Sequence, residues 1–146
     1  MLKIYLAGKM GGLTFEEMNK WRCETRRKLL SQAEMFSKKI SVINPVLYYN
    51  FEEKRHQTEI EVQEFDLAHV ISSDIIVVNL DGLSNSIGTI IELHNAHYHH
   101  KIPVIAFGKR ELYDNLHPWV KNDITRVECD IDGAIAYIKD LSLIHI

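Results

Sequence analysis

Two carboxylates, Glu92 and Asp66, stand where the surrounding residues could support chemistry. Glu92 follows the loop Asp81-Gly-Leu-Ser-Asn-Ser-Ile-Gly-Thr89 and lies about one turn inside a helical segment. Ser86 stands where it can cap that helix, and Gly88 permits a close backbone approach. The free N–H groups and the helix dipole attract anions and favour the ionised form of Glu92, which suits a nucleophile. Spacing alone favours a plainer role for Glu92, that of a helix-stabilising acid. Asp66 sits mid-helix, where aspartate is a poor helix former. At the edge of a cleft it could pass a proton to or from a leaving group. A solvated helix face explains the same spacing equally well.

Other residues carry weaker signals. Gly8-Lys9-Met10-Gly11-Gly12 resembles a flexible loop that touches phosphate, with a simple turn as the plainer account. It is neither a Walker A motif nor a dinucleotide fingerprint. His94, His97, His99 and His100 crowd one helix end, but only the His94/His97 spacing partly suits zinc. Solvent-facing or subunit-contact histidines are the favoured reading, and no metal or cofactor is expected. Arg22, Arg26, Arg27 and Lys28 read as a coat on one exposed helix face.

The elements that must position these residues alternate between strand and helix. Lys3 to Ala7 is an apolar run stopped by Gly8. Thr14 and Glu17 form a capping box, and a helix is expected from there to about Ser37. Phe15, Met18, Trp21, Leu29 and Leu30 fall near its inner face. Ile40 to Ile43 is a short strand, and Val46 to Gln57 a polar, aromatic-rich connection. Thr58 to Ile71 has helical spacing. Asp74 to Leu80 is the strongest strand, apolar on both faces as a central parallel strand should be. A helix is expected from about Gly88 to His100 and a strand over Ile102 to Phe107. A short helix over Leu112 to Val120, a weak strand near Thr125 to Glu128 and a last helix over Asp132 to Leu141 complete the pattern. The alternation predicts one α/β domain spanning residues 1–146. Its expected form is a flavodoxin-like three-layer α/β/α sandwich with a five-stranded parallel sheet, order 2-1-3-4-5. Ligands in such sheets bind beyond the carboxyl ends of the strands, at the switch point between strands one and three. The loops after Gly8 and after Leu80 should therefore line one cleft.

Composition sets outer bounds. The 146 residues suit one compact domain able to bury a core. A net charge of −3 argues against a broad interface with a nucleic acid polymer. No apolar stretch approaches the ~20 residues needed to cross a bilayer. With no signal peptide before the first apolar run, and Cys23 and Cys129 outside any CxxC pattern, a reducing cytoplasmic setting with two free thiols is expected.

Taken together, KIYLAG at 3–8, the helix around Asp66, DIIVVNLDG, S-x-G-T-x-x-E-L at 86–93 and KIPVI at 101–105 resemble the nucleoside 2-deoxyribosyltransferase family. The resemblance spans roughly residues 3 to 120 in the right order. It implies that Glu92 attacks the anomeric carbon and holds the sugar covalently, and that Asp66 helps protonate the departing base. It implies that Tyr5 helps place the glutamate. It further implies that Asn115, in the segment Asn115 to Trp119, comes from a neighbouring subunit, making the active unit a homodimer or larger homo-oligomer. Substrates would be a small nucleoside or nucleotide and a free nucleobase. The sequence departs from the classical members at position 86, six residues before the nucleophile. There they carry an acid that binds the sugar 5′-hydroxyl, whereas this chain has Ser86. Related nucleoside 5′-monophosphate N-glycosidases have a serine there, near the phosphate. Gly8, Lys9, Ser86 and Gly88 are then expected near the 5′ group, with Asp81 or Ser84 serving a free hydroxyl instead. Three activities follow as expectations: deoxyribosyl transfer between bases, hydrolysis of deoxynucleoside 5′-monophosphates, or nucleotide sensing without turnover. The ending Leu141 to Ile146 matches no motif and is assigned no role.

Overall fold

The computed structural model describes residues 1–50 and 52–144. Phe51, within the aromatic-rich connection, and His145 and Ile146, at the chain end, lie outside the described residues.

The chain forms β1 (Leu2–Ala7), α1 (Phe15–Ser31), β2 (Ile40–Ile43), α2 (Glu59–Ile71), β3 (Ile75–Asn79) and α3 (Ile87–His94). Then come β4 (Val104–Phe107), α4 (Arg110–Asp114), α5 (Pro118–Lys121), β5 (Arg126–Glu128) and α6 (Ile131–Ile144). The five strands form one parallel sheet in the order β2-β1-β3-β4-β5. This is the expected topology, including the switch point between β1 and β3.

Strand alternation divides the core. Ile4 and Leu6 face one way and pack with Leu29 of α1 and Ile135 and Ile138 of α6. Tyr5 and Ala7 face the other way and pack with Val70 of α2 and Leu93 of α3. The period of two therefore aims Tyr5 at the side on which α2 and α3 lie. All five residues of β3 are buried, as a strand covered on both faces must be.

Several boundaries differ from expectation. α1 begins at its capping box, in which Glu17 N–H donates to Thr14 Oγ1 and Thr14 N–H donates to Glu17. It ends at Ser31 rather than Ser37, and a 3-10 turn over Ala33–Met35 follows. Its inner stripe is Met18, Arg22, Thr25 and Leu29, whereas Phe15 and Leu30 are exposed. α3 ends at His94 and passes into a π-helical turn, Asn95–His99, closed by Lys101 in the left-handed region. Asn95 Nδ2 donates to the Ile91 carbonyl there, a side-chain bond within the widened turn. The helix expected over Leu112 to Val120 is two helices, because Pro118 starts a new one at its first position. Among the described residues no helix is long and apolar enough to cross a membrane.

Candidate active site

The carboxyl ends of β1 and β3 bring the expected loops together. Gly82 adopts φ +71°, and a Cβ built on it would lie 2.7 Å from Cδ of Lys9. The stem of Lys9 thus lies against the loop after β3, and glycine is the residue that tolerates both the backbone and the contact. Gly8 is equally confined: a Cβ there would lie 2.7 Å from Cζ2 of Trp21.

Behind these loops Tyr5, Asp66 and Glu92 converge. Tyr5 Oη donates to Glu92 Oε2 at 2.5 Å, joining β1 to α3 across 87 positions of sequence. Glu92, Asp66, Val62, Gln63, Ile91 and Gly88 line a cavity of about 300 Å³ between α2 and α3. Glu92 belongs to α3 and Asp66 to α2, so the two carboxyls face one space from adjacent helices. Tyr49, in the connection before α2, donates its hydroxyl to Asp66 Oδ1.

The electrostatics corrects one expectation. Glu92 was expected to be ionised by its helix position. Instead, burial pushes its carboxyl up to about 8. The negative charge of Asp66 adds to the rise, while the Tyr5 hydrogen bond and the Arg22 charge oppose it. The helix dipole loses because Glu92 is the sixth residue of α3, beyond the first turn where the dipole acts, and desolvation is the larger effect. Burial also raises Asp66, against the hydrogen bond from Tyr49 and the nearby charges of His69 and Arg22. Tyr5 is held well above the usual phenol range, chiefly by burial and then by the charges of Glu92 and Asp66. It therefore acts as a hydrogen-bond donor. The Asp66 charge is one of the causes that raise Glu92, so the last proton of the pair is held on Glu92.

A stability prediction follows from Glu92. Its folded value, about 8, exceeds an unfolded glutamate's, so its proton stabilises the folded protein fully at low pH. That contribution is lost as pH rises through about 8. Glu92→Gln should therefore raise Tm relative to wild type at pH 9, by on the order of 5 °C, and change it little at pH 5. Thermal melts at the two pH values check this; an equal shift at both contradicts it.

The remaining expected residues are placed differently. Ser86 is the N-cap residue of α3, but its hydroxyl pairs with Thr89 Oγ1 at 2.7 Å and makes no cap to a backbone N–H. Gly88 lines the cavity, and a Cβ there would meet nothing within 4 Å. Asp81 is exposed, with its N–H donating to Asn79 Oδ1. Gly8, Lys9, Asp81 and Ser86 border the strand ends without lining the Glu92 cavity. Asn115 is exposed after α4 and does not line that cavity either. His94 Nδ1 lies 2.8 Å from Asp123 Oδ2, while His97 Nδ1 lies 3.4 Å from the Ile102 carbonyl. The pair expected to be a partial zinc match thus has separate protein partners. Cys23 and Cys129 are exposed free thiols.

Arg22 overturns the expectation of an exposed basic coat. Arg26 and Arg27 are exposed, and Lys28 pairs with Asp132 at 2.9 Å, but Arg22 is fully buried. The sequence held the signal: positions 18, 22, 25 and 29 form a single helical stripe. Tyr49 was also passed over. Its signal was the run of aromatics in a connection otherwise polar.

No family model matches the chain, and no curated protein matches it. Solved structures do. A conserved protein from Enterococcus faecalis V583 superposes with a TM-score of 0.73 at 22% identity, covering 97% of this chain and 99% of the other. A 2-deoxyribosyltransferase from Bacillus psychrosaccharolyticus gives 0.69 at 20% identity, covering 96% and 95%. A CMP N-glycosidase from Clostridium botulinum gives 0.56 at 17% identity, covering 95% and 98%. The fold is shared over nearly the whole length of each.

Proposed function

We propose that this chain is an enzyme that cleaves the N-glycosidic bond of 2′-deoxynucleosides and passes the sugar to another nucleobase through a covalent intermediate on Glu92. The observation that carries this is that Glu92 and Asp66 line one cavity while Tyr5 holds Glu92 from behind. The shared fold supports it, since one structure of that fold is a 2-deoxyribosyltransferase and another a CMP N-glycosidase.

The reacting form is the one in which the pair's proton has passed from Glu92 to Asp66; from it the ionised Glu92 attacks C1′ and the C1′–N bond breaks. Its electron pair goes to the base nitrogen, which takes a proton from Asp66. In the second step a nitrogen of the incoming base attacks C1′, the Glu92 carboxylate leaves, and Asp66 recovers a proton. Tyr5 holds one oxygen of Glu92 so that the other faces the sugar. Residues Asn115 to Trp119 of a second copy would complete the site, which makes the active form a homo-oligomer.

One observation favours a second reading, hydrolysis of deoxynucleoside 5′-monophosphates. Position 86 carries no acid, and among the described residues no side chain caps the first N–H groups of α3. A phosphate suits uncapped helix N–H groups, and Ser86 would not repel it. Incubation with deoxynucleosides, with and without a second base, and with deoxynucleoside monophosphates separates the two. Exchange confined to free nucleosides sinks the hydrolase reading. Base release confined to monophosphates sinks the transferase reading. Tight nucleotide binding without turnover of any substrate would leave only a sensing role.

A further inference from the structure

Arg22 is a buried cation with no carboxylate beside it. It lies on the face of α1 that packs beneath the sheet, opposite the side occupied by Asp66 and Glu92. Its Nε donates to the Leu6 carbonyl at 3.2 Å, Nη1 to the Met18 carbonyl at 2.6 Å and Nη2 to the Gly8 carbonyl at 3.0 Å. Its guanidinium also lies 4.6 Å from the centroid of the Trp21 ring. None of the ion pairs among the described residues uses it. Carbonyl dipoles supply only partial charge, and burying an uncompensated cation costs several kcal/mol. An apolar residue would fill the space without that cost. The arrangement is therefore a device that keeps a positive charge at the end of β1.

That end is where the site begins. Pairing of β1 with β2 stops at Tyr5↔Ile43, and Arg22 takes the next carbonyl, Leu6, and then Gly8. Tyr5 is thus fixed from the residue after it, and Tyr5 fixes Glu92.

We infer that Arg22 is a positioning residue for Glu92: its guanidinium locks the end of β1 and the Gly8 turn, and supplies the positive charge against which the Glu92 carboxylate forms. The inference rests on the glycosyl-transfer reading only for what that carboxylate does once formed.

The titratable groups that act on Glu92 are Tyr5 of β1, which donates to it, and the charges of Asp66 on α2 and Arg22 on α1, while Glu92 in turn raises Tyr49. Of these only Arg22 is a cation. Burial lowers Arg22 to about 10, which leaves it charged at neutral pH. In return, the carboxylates of Glu92 and Asp66 oppose the loss of its proton.

The test is a direct titration of the Glu92 carboxyl by carbon NMR, in glutamate-labelled wild type, Arg22→Gln and Arg22→Lys, with Glu92→Gln to assign the signal. Arg22→Gln should raise the Glu92 midpoint by about one pH unit or more, a tenfold change in its ionisation constant. The limb of the kcat/KM profile that reports the same ionisation should move to higher pH by the same amount. A merely structural lesion would lower the rate equally at every pH. Arg22→Lys keeps the charge without the fork, and its Glu92 midpoint should stay near wild type. If Arg22→Gln does not fold, Arg22→Lys carries the test: a midpoint raised by a unit overturns the inference. An unchanged midpoint in folded Arg22→Gln overturns it as well. The NMR reading needs no substrate, so it fails or holds independently of whether Glu92 attacks a sugar.

Discussion

Glu92→Ala should lower base release or exchange by at least about 10⁴-fold, the scale expected for loss of a nucleophile, while the protein stays folded. Of the two other carboxyls that line the cavity, Asp66 is held by Tyr49 and Glu59 stands at the start of α2. The loss should appear in kcat, because Glu92 acts on the reacting carbon and not on remote parts of the substrate. In the wild type, kcat/KM should fall as pH rises through about 8, where the pair loses the one proton that Asp66 must deliver. Because Asp66 and Glu92 repel each other's charge, the limbs of that profile belong to the pair. Steady-state assays across pH 5 to 10 check both statements. Undiminished turnover in Glu92→Ala sinks the assignment.

The second large effect belongs to Asp66. Asp66→Asn should cut the rate by about 10²–10⁴-fold, the usual contribution of a positioned proton donor. The deficit should depend on the leaving base: a base that departs as a stable anion needs little protonation and should suffer least. The substitution also removes the negative charge that raises Glu92, so the Glu92 limb should move to lower pH. These two effects act in opposite directions near pH 6, where part of the lost rate returns through a more ionised nucleophile. Comparing kcat for a good and a poor leaving base in wild type and Asp66→Asn measures the first. A deficit equal for both bases would place Asp66 in binding instead of proton transfer.

The sheet order was legible because the chain states it through period. β3 is apolar on both faces, and α1 and α2 each open at a capping box, so the crossover rule leaves few arrangements. The helix ends were less legible. The π-helical turn after His94 depends on where the chain must turn back into β4, a tertiary demand that local propensity does not encode. Pro118 announced the split between α4 and α5, and its weight was underestimated.

Within the site, spacing favours a helix-stabilising acid at Glu92 and leaves a solvated face equally open at Asp66, so the resemblance of motifs carries both expectations. Their protonation was not visible at all. A sequence shows that Glu92 follows a helix start, and the dipole argument then favours its charge. It does not show that Tyr5, 87 positions away, and Asp66 on another helix enclose it. Arg22 was misread for a related reason. Four basic residues within seven positions suggest a solvated face, but Arg22 shares a stripe with Met18 and Leu29 while Arg26 and Arg27 do not. Helical phase was the stronger clue, and local charge density obscured it.

The most direct test of the account is the chemical state of Glu92 during turnover. The protein is incubated with a deoxynucleoside whose 2′-fluorine slows breakdown of the intermediate, then quenched and digested for mass spectrometry. The account predicts that the peptide containing Glu92 gains the mass of the fluorinated sugar, that the label sits on Glu92, and that a second base removes it. Release of base with no modified peptide at any time, or a label carried by a different residue, would contradict it.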